Sequence, residues 1–171
     1  MIIIGIIHLL LPVLLLLYTL FAPLQYDKVV LIILLLAPLH WVLLEGECVL
    51  SYLYKKCKNQ EYKLGDNIEL NDIADGFEYI KHHTGINIEY VLKNRTSGDN
   101  FMIVYLLFLS RVIVYKSVHP TYVPYLVILF LLYTCYFARN YKTFDTTTKN
   151  VYKWFSILFS VYIIKKIVSN K

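Results

Sequence analysis

The chain has 171 residues, 58% of them hydrophobic and 17% charged, with a mean hydropathy of +0.54 and a formal charge of +5. So much apolar surface cannot be hidden in the core of one soluble domain, which excludes an ordinary globular protein and predicts an integral membrane protein. The basic residues are scattered through loops beside apolar runs. They therefore read as topology signals touching anionic lipid headgroups, and they argue against nucleic acid as a partner.

A helix crossing roughly 30 Å of hydrocarbon needs about 20 apolar residues, and it is helical because water is not there to satisfy the backbone. Residues 2–21 meet that length. With no basic stretch before them and no small-x-small site after them, they read as an uncleaved anchor. After the turn at 22–28, the run 29–54 exceeds one span, although polar residues interrupt its second half. Pro12 and Pro38 fall inside these two runs, where a missing backbone donor bends a helix. Read as one helix, 29–54 sets His40, Glu47 and Ser51 on a single face, since offsets of seven and eleven residues return to nearly the same angle. Glu45 points away from that stripe.

Residues 55–100 form an extramembrane insertion. Leu70, Ile73, Phe77 and Ile80 recur at helical spacing, which predicts an amphipathic helix over 71–84, capped by Asn71 or Asp72 and stopped by Gly85. Residues 86–92 suit a short strand or a continuing helix, and 96–100, with Gly98, suit a turn. His82 and His83 are adjacent, a poor chelating geometry on a helix, and no metal or cofactor is expected. Further spans follow at 101–115, 122–138 and 151–168, the last crowded by Lys153, Lys165 and Lys166. Tyr54, Tyr115, Tyr122 and Trp154 read as anchors at the membrane interface.

The expectation is an all-α, polytopic bundle of four or five transmembrane helices in one membrane domain, 1–171, with an amphipathic helix in its one large loop. The excess of Lys and Arg around 55–100 and 139–149 places the amino terminus and that loop on the cytoplasmic side. The sequon Asn94-Arg95-Thr96 is then expected to carry no glycan. Three cysteines, an odd number, imply no disulfide framework. No internal repeat divides the chain into matching halves, which disfavours an inverted-repeat transporter.

Glu47 stands eight residues from Lys55, and Arg111 ten from Phe101, roughly 12 and 15 Å along their helices. An arginine deep in a bilayer needs a partner. Glu47, or else Glu45, is the expected carboxylate for Arg111, within an intramembrane network of His8, His40, Glu45, Glu47, Ser51 and Arg111. Such a network fixes helix packing, conducts protons or ions, or supports catalysis through Cys48; no catalytic residue is assigned.

The string His40-Trp41-Val42-Leu43-Leu44-Glu45-Gly46-Glu47-Cys48-Val49-Leu50-Ser51, closing on Lys55-Lys56, resembles a helix-end signature in small multi-pass membrane proteins of nucleocytoplasmic large DNA viruses. It covers under a tenth of the chain. The resemblance implies a non-enzymatic component of a virion's internal membrane that contacts capsid or other partner proteins. The alternative is a small channel or proton-coupled transporter built on His40, Glu47 and Arg111.

Overall fold

The computed structural model describes residues 2–64, 66, 71–87 and 97–169, with 97–100 described by their backbone. Among the described residues every regular element is helical, in seven α-helices and two 3-10 turns: α1 Ile2–Phe21, a turn Leu24–Tyr26, α2 Asp27–Leu43, α3 Val49–Lys58, α4 Asp72–Thr84, α5 Ser97–Tyr115, α6 Val123–Asn140, a turn Tyr141–Thr143 and α7 Thr146–Ser169. Among the described residues three stretches are long and apolar enough to cross a membrane: Ile2–Phe21, Leu24–Leu43 and Val123–Thr143. The apolar stretch Phe101–Tyr115 is shorter.

The chain forms two compact units, Met1–Leu20 with Val49–Phe108, and Phe21–Cys48 with Leu109–Lys171. In the first, α4 has the boundaries its sequence predicts. Asn71 caps it, its side-chain oxygen accepting from the amides of Ile73 at 3.1 Å and Ala74 at 3.3 Å, and Gly85 closes it in the left-handed conformation at φ 71°. Its buried face is Asp72 and Gly76, with Ile73, Phe77 and Ile80 half-buried. Gly5 on α1 and Gly76 on α4 make the crossing possible: a Cβ on Gly5 would fall on the Asp72 carbonyl, and one on Gly76 would sit 3.1 Å from the Gly5 backbone. Only a residue without a side chain lets two helix backbones come this close.

The second unit is built on α2, α6 and α7, which pack on one another. Each presents a buried stripe at helical spacing: Leu31, Leu34, Leu35 and Val42 on α2, Val123, Val127, Phe130, Leu131 and Phe137 on α6, and Ser156, Ser160, Ile163 and Ile167 on α7. The small Ser156 and Ser160 admit a close neighbour. Between α6 and α7 runs an aromatic seam, with Phe130 against Phe159 at 5.2 Å and Tyr152 against both Tyr133 and Phe137 at 4.6 and 4.8 Å. Its spacing, 130, 133, 137 facing 152 and 159, is that of two antiparallel helices. Asp145 caps α7 by accepting from the Thr148 amide at 2.8 Å.

Two expectations are corrected. The run 29–54 is not one helix: α2 stops at Leu43, and α3 begins at Val49. The stop is a Schellman turn, in which the Gly46 amide reaches the Trp41 carbonyl at 2.6 Å while Glu45 and Gly46 take φ of 59° and 92°. Gly46 is needed there twice, because a Cβ would also press within 3.0 Å of the Ala138 carbonyl on α6. Of the turn expected at 96–100, residues 97–100 are instead the first turn of α5. The segment 88–96, with the sequon and most of the expected strand or helix, lies outside the described residues, as does Leu70.

Candidate functional site

Among the described residues, three clusters of ion pairs and hydrogen bonds join the helices near their ends. In the first unit the hub is Asp72, buried at the start of α4. His8 of α1 meets its Oδ2 through Nδ1 at 2.8 Å, and the Ser51 hydroxyl of α3 donates to its Oδ1 at 2.9 Å, so one carboxylate ties three helices. Burial alone would raise its pKa, but the hydrogen bond and charge of His8 and the Ser51 hydroxyl hold it below the usual carboxylate range. One turn on, Asp75 accepts from Lys58 at 2.6 Å and from the Tyr54 hydroxyl of α3, and these two bonds lower the Asp75 pKa. Residues 51, 54 and 58 thus form one edge of α3, matched to 72 and 75 on α4.

In the second unit Asp27 opens α2 and is fully buried. Arg111 of α5 approaches its Oδ1 at 3.2 Å and donates to the Ala22 carbonyl at 2.6 Å, while the Ser117 hydroxyl donates to Asp27 Oδ2 at 2.5 Å. The guanidinium therefore clasps the turn before α2 and the end of α5 together. At the other end of α2, Glu45 meets Lys153 of α7 at 3.2 Å and the Tyr141 hydroxyl. Burial pushes the Glu45 carboxyl up, but Tyr141, Lys153 and Lys149 outweigh it and hold the group below its usual range.

The expected network is therefore redistributed. The carboxylate at Arg111 is Asp27, not Glu47 or Glu45, because Arg111 lies only four residues, about 6 Å, from the end of α5 and turns toward that end. His40, Glu47 and Ser51 do not share a helical face, because the break at 44–48 separates them. His40 turns Nδ1 back to the Leu36 carbonyl at 3.2 Å, and its Nε2 is buried without a hydrogen-bond partner among the described residues. His8 and Ser51 do meet, through Asp72. Tyr54, read as an interfacial anchor, is buried and bonded to Asp75.

Sequence reasoning missed Asp27, Asp72, Ser117 and Lys153 as network members. Asp27 carried a usable signal as the one acid in the turn 22–28, with Arg111 near the end of a later helix. Among the described residues no three His, Cys, Asp or Glu side chains are placed to hold a metal ion. No protein-family model, curated protein or solved structure matches this chain.

Proposed function

We propose that this chain is a polytopic integral membrane protein of four or five spans with a structural or assembly role rather than an enzymatic one. One observation carries the reading: three buried or half-buried carboxylates, Asp72, Asp27 and Glu45, each join one chain segment to another near a helix end. Asp72 ties α1, α3 and α4, Asp27 ties α2 to α5, and Glu45 ties the end of α2 to α7. Such clasps set helix register. A conducting path needs polar groups in series along the bundle, and a nucleophile needs a base within hydrogen-bond reach.

The span that would make four into five is α7. Val151, Trp154, Leu158, Val161 and Val168 form an exposed apolar stripe along it, Lys153 is neutralised by Glu45, and Lys165 and Lys166 near its end reach past the hydrocarbon by snorkelling. The basic residues Lys55, Lys56, Lys58, Arg139 and Lys142 favour a cytoplasmic side for the amino terminus, for residues 44–96 and for the turn after α6. The string at 40–56 suggests a viral internal membrane as the setting, with capsid or membrane proteins as partners.

Three measurements test this. The full-length chain is expected to stay in the membrane pellet under alkaline carbonate. In a eukaryotic host Asn94 is expected to remain unmodified, whereas a sequon engineered at 22–26 acquires a glycan. In an infected cell the chain is expected to follow the capsid shell after detergent removes lipid. Proteoliposomes that carry a selective ion flux, abolished by Glu47→Gln, would replace this reading with the transport alternative.

A further inference from the structure

Three helices of the first unit lie in a fixed register. α4 runs antiparallel to the start of α1: Asp72 meets His8 at 2.8 Å, Gly76 lies against the Gly5 backbone, and Tyr79 and His82 line a groove with Ile2. α3 runs parallel to α4, since Ser51 bonds to Asp72 and Tyr54 to Asp75, an offset of 21 residues in both pairs. The starts of α3 and α4 therefore lie level with His8, and their ends lie level with Ile2 or beyond it.

This register sets three borders side by side. The candidate span Ile2–Phe21 has 20 residues, about 30 Å at 1.5 Å each, so it crosses the hydrocarbon only with Ile2 at the near edge. α3 reads Val49-Leu50-Ser51-Tyr52-Leu53-Tyr54 and turns basic at Lys55. On α4 the first two acids are paired, Asp72 with His8 and Asp75 with Lys58, whereas Glu78, Lys81, His82 and His83 are exposed. The change falls between 54 and 55 on α3 and between 77 and 78 on α4, each within about one turn of the level of Ile2.

On the inner side of that level apolar surface is left open. Val49 and Leu53 are 38% and 46% exposed, Ala74 is exposed, and Ile73 and Phe77 are half-buried. A helix lying flat on a membrane changes polarity around its circumference. Here the charge changes along the axis, and it does so on two helices at one height.

We propose that α3 and α4 dip end-on into the near leaflet, with 49–54 and 72–77 among acyl chains and Lys55, Lys56, Glu78, Lys81 and His82 in the headgroup layer. The inference rests on the membrane reading above, and it makes the insertion 55–100 partly intramembrane. Asp72 then lies level with His8, about 9 Å inside Ile2, a depth at which a carboxylate needs the partners that His8 and Ser51 supply.

The test needs no substitution. The full-length chain, in dioleoyl phosphatidylcholine vesicles doped with a phosphatidylcholine that carries a diazirine near the glycerol end of one acyl chain, is photolysed, and adducts are mapped by peptide mass spectrometry. Ile3, Leu10 and Leu14, exposed on α1, give the reference yield for contact with hydrocarbon. Leu53, Ala74 and Phe77 are expected to match that reference. Ile86, apolar and 60% exposed but beyond the end of α4, is expected to carry no adduct, so the contrast reads depth and not side-chain chemistry. Adducts on α1 with none on α3 and α4 overturn the proposal and leave the membrane reading intact. Adducts running evenly from Ile73 through Ile86 mean that α4 lies flat, which also overturns it. Absence of adducts from α1 as well, with release of the chain by carbonate, overturns both.

Discussion

Asp27 and Asp72 are both buried carboxylates at the start of a helix, yet each is neutralised differently. Asp27 meets a guanidinium and a serine hydroxyl, and the same guanidinium also holds a backbone carbonyl. Asp72 meets an imidazole and a serine hydroxyl, beside a crossing so tight that two glycines are required. The first site is held by charge, so its failure leaves an ion stranded. The second is held as much by backbone proximity, so its failure is steric before it is electrostatic. The two sites should therefore respond to different substitutions.

The largest effect should come from Arg111→Ala. Removing one partner of a buried pair strands the other, and the expected loss is about 3–5 kcal/mol, measured by reversible unfolding in mixed micelles. Arg111→Met combined with Asp27→Leu should recover most of that loss, because the pair is then exchanged for apolar contact. If the double variant is as unstable as the single one, the clasp at Ala22 or Ser117 matters more than the charge.

Gly5→Ala comes next, at about 1–3 kcal/mol, since its new methyl would overlap the Asp72 carbonyl and force the helices apart. Gly76→Ala should cost less. Its contacts are looser, at 3.1 to 3.3 Å, and alanine returns up to about 1 kcal/mol of helix propensity. Protease sensitivity of α4 should rank the two variants, and equal sensitivity would show that the crossing does not depend on Gly5. Ser51→Ala removes one hydrogen bond to Asp72 and should cost about 1 kcal/mol by the same assay.

The helices at both sites were legible in the sequence, whereas the pairings were not. Local signals fixed α4, since Asn71 and Gly85 act within a turn of themselves. Apolar length fixed α1, and it located α5, α6 and α7 to within a few residues. The same criterion misled at 29–54, because Leu44, Val49 and Leu50 keep the run apolar through a break that depends on the backbone of Glu45 and Gly46. Partners are harder to read, since Asp27 and Arg111 are far apart in sequence and their meeting depends on how the intervening helices return. Asp72 was recognised as a helix-start residue, but its position against α1 follows from Gly5, which nothing local marks as a crossing point.

The smallest effect at neutral pH, and the sharpest separation of the two sites, concerns acid. The Asp72 carboxyl is held below its ordinary value, near 3.9. Its contribution to docking α4 is therefore complete above about pH 4 and is lost as pH falls through the lowered folded value. Wild-type protection of α4 amides from hydrogen exchange should accordingly hold as acid is added down to about pH 4 and fall below it. In His8→Ala the groups lowering that pKa shrink to the Ser51 hydroxyl and the backbone, while burial still raises it, so the loss should begin at a higher pH. An acid midpoint that His8→Ala leaves unmoved would mean that the imidazole only fills space beside Asp72, and that the glycine crossing holds α4 without it.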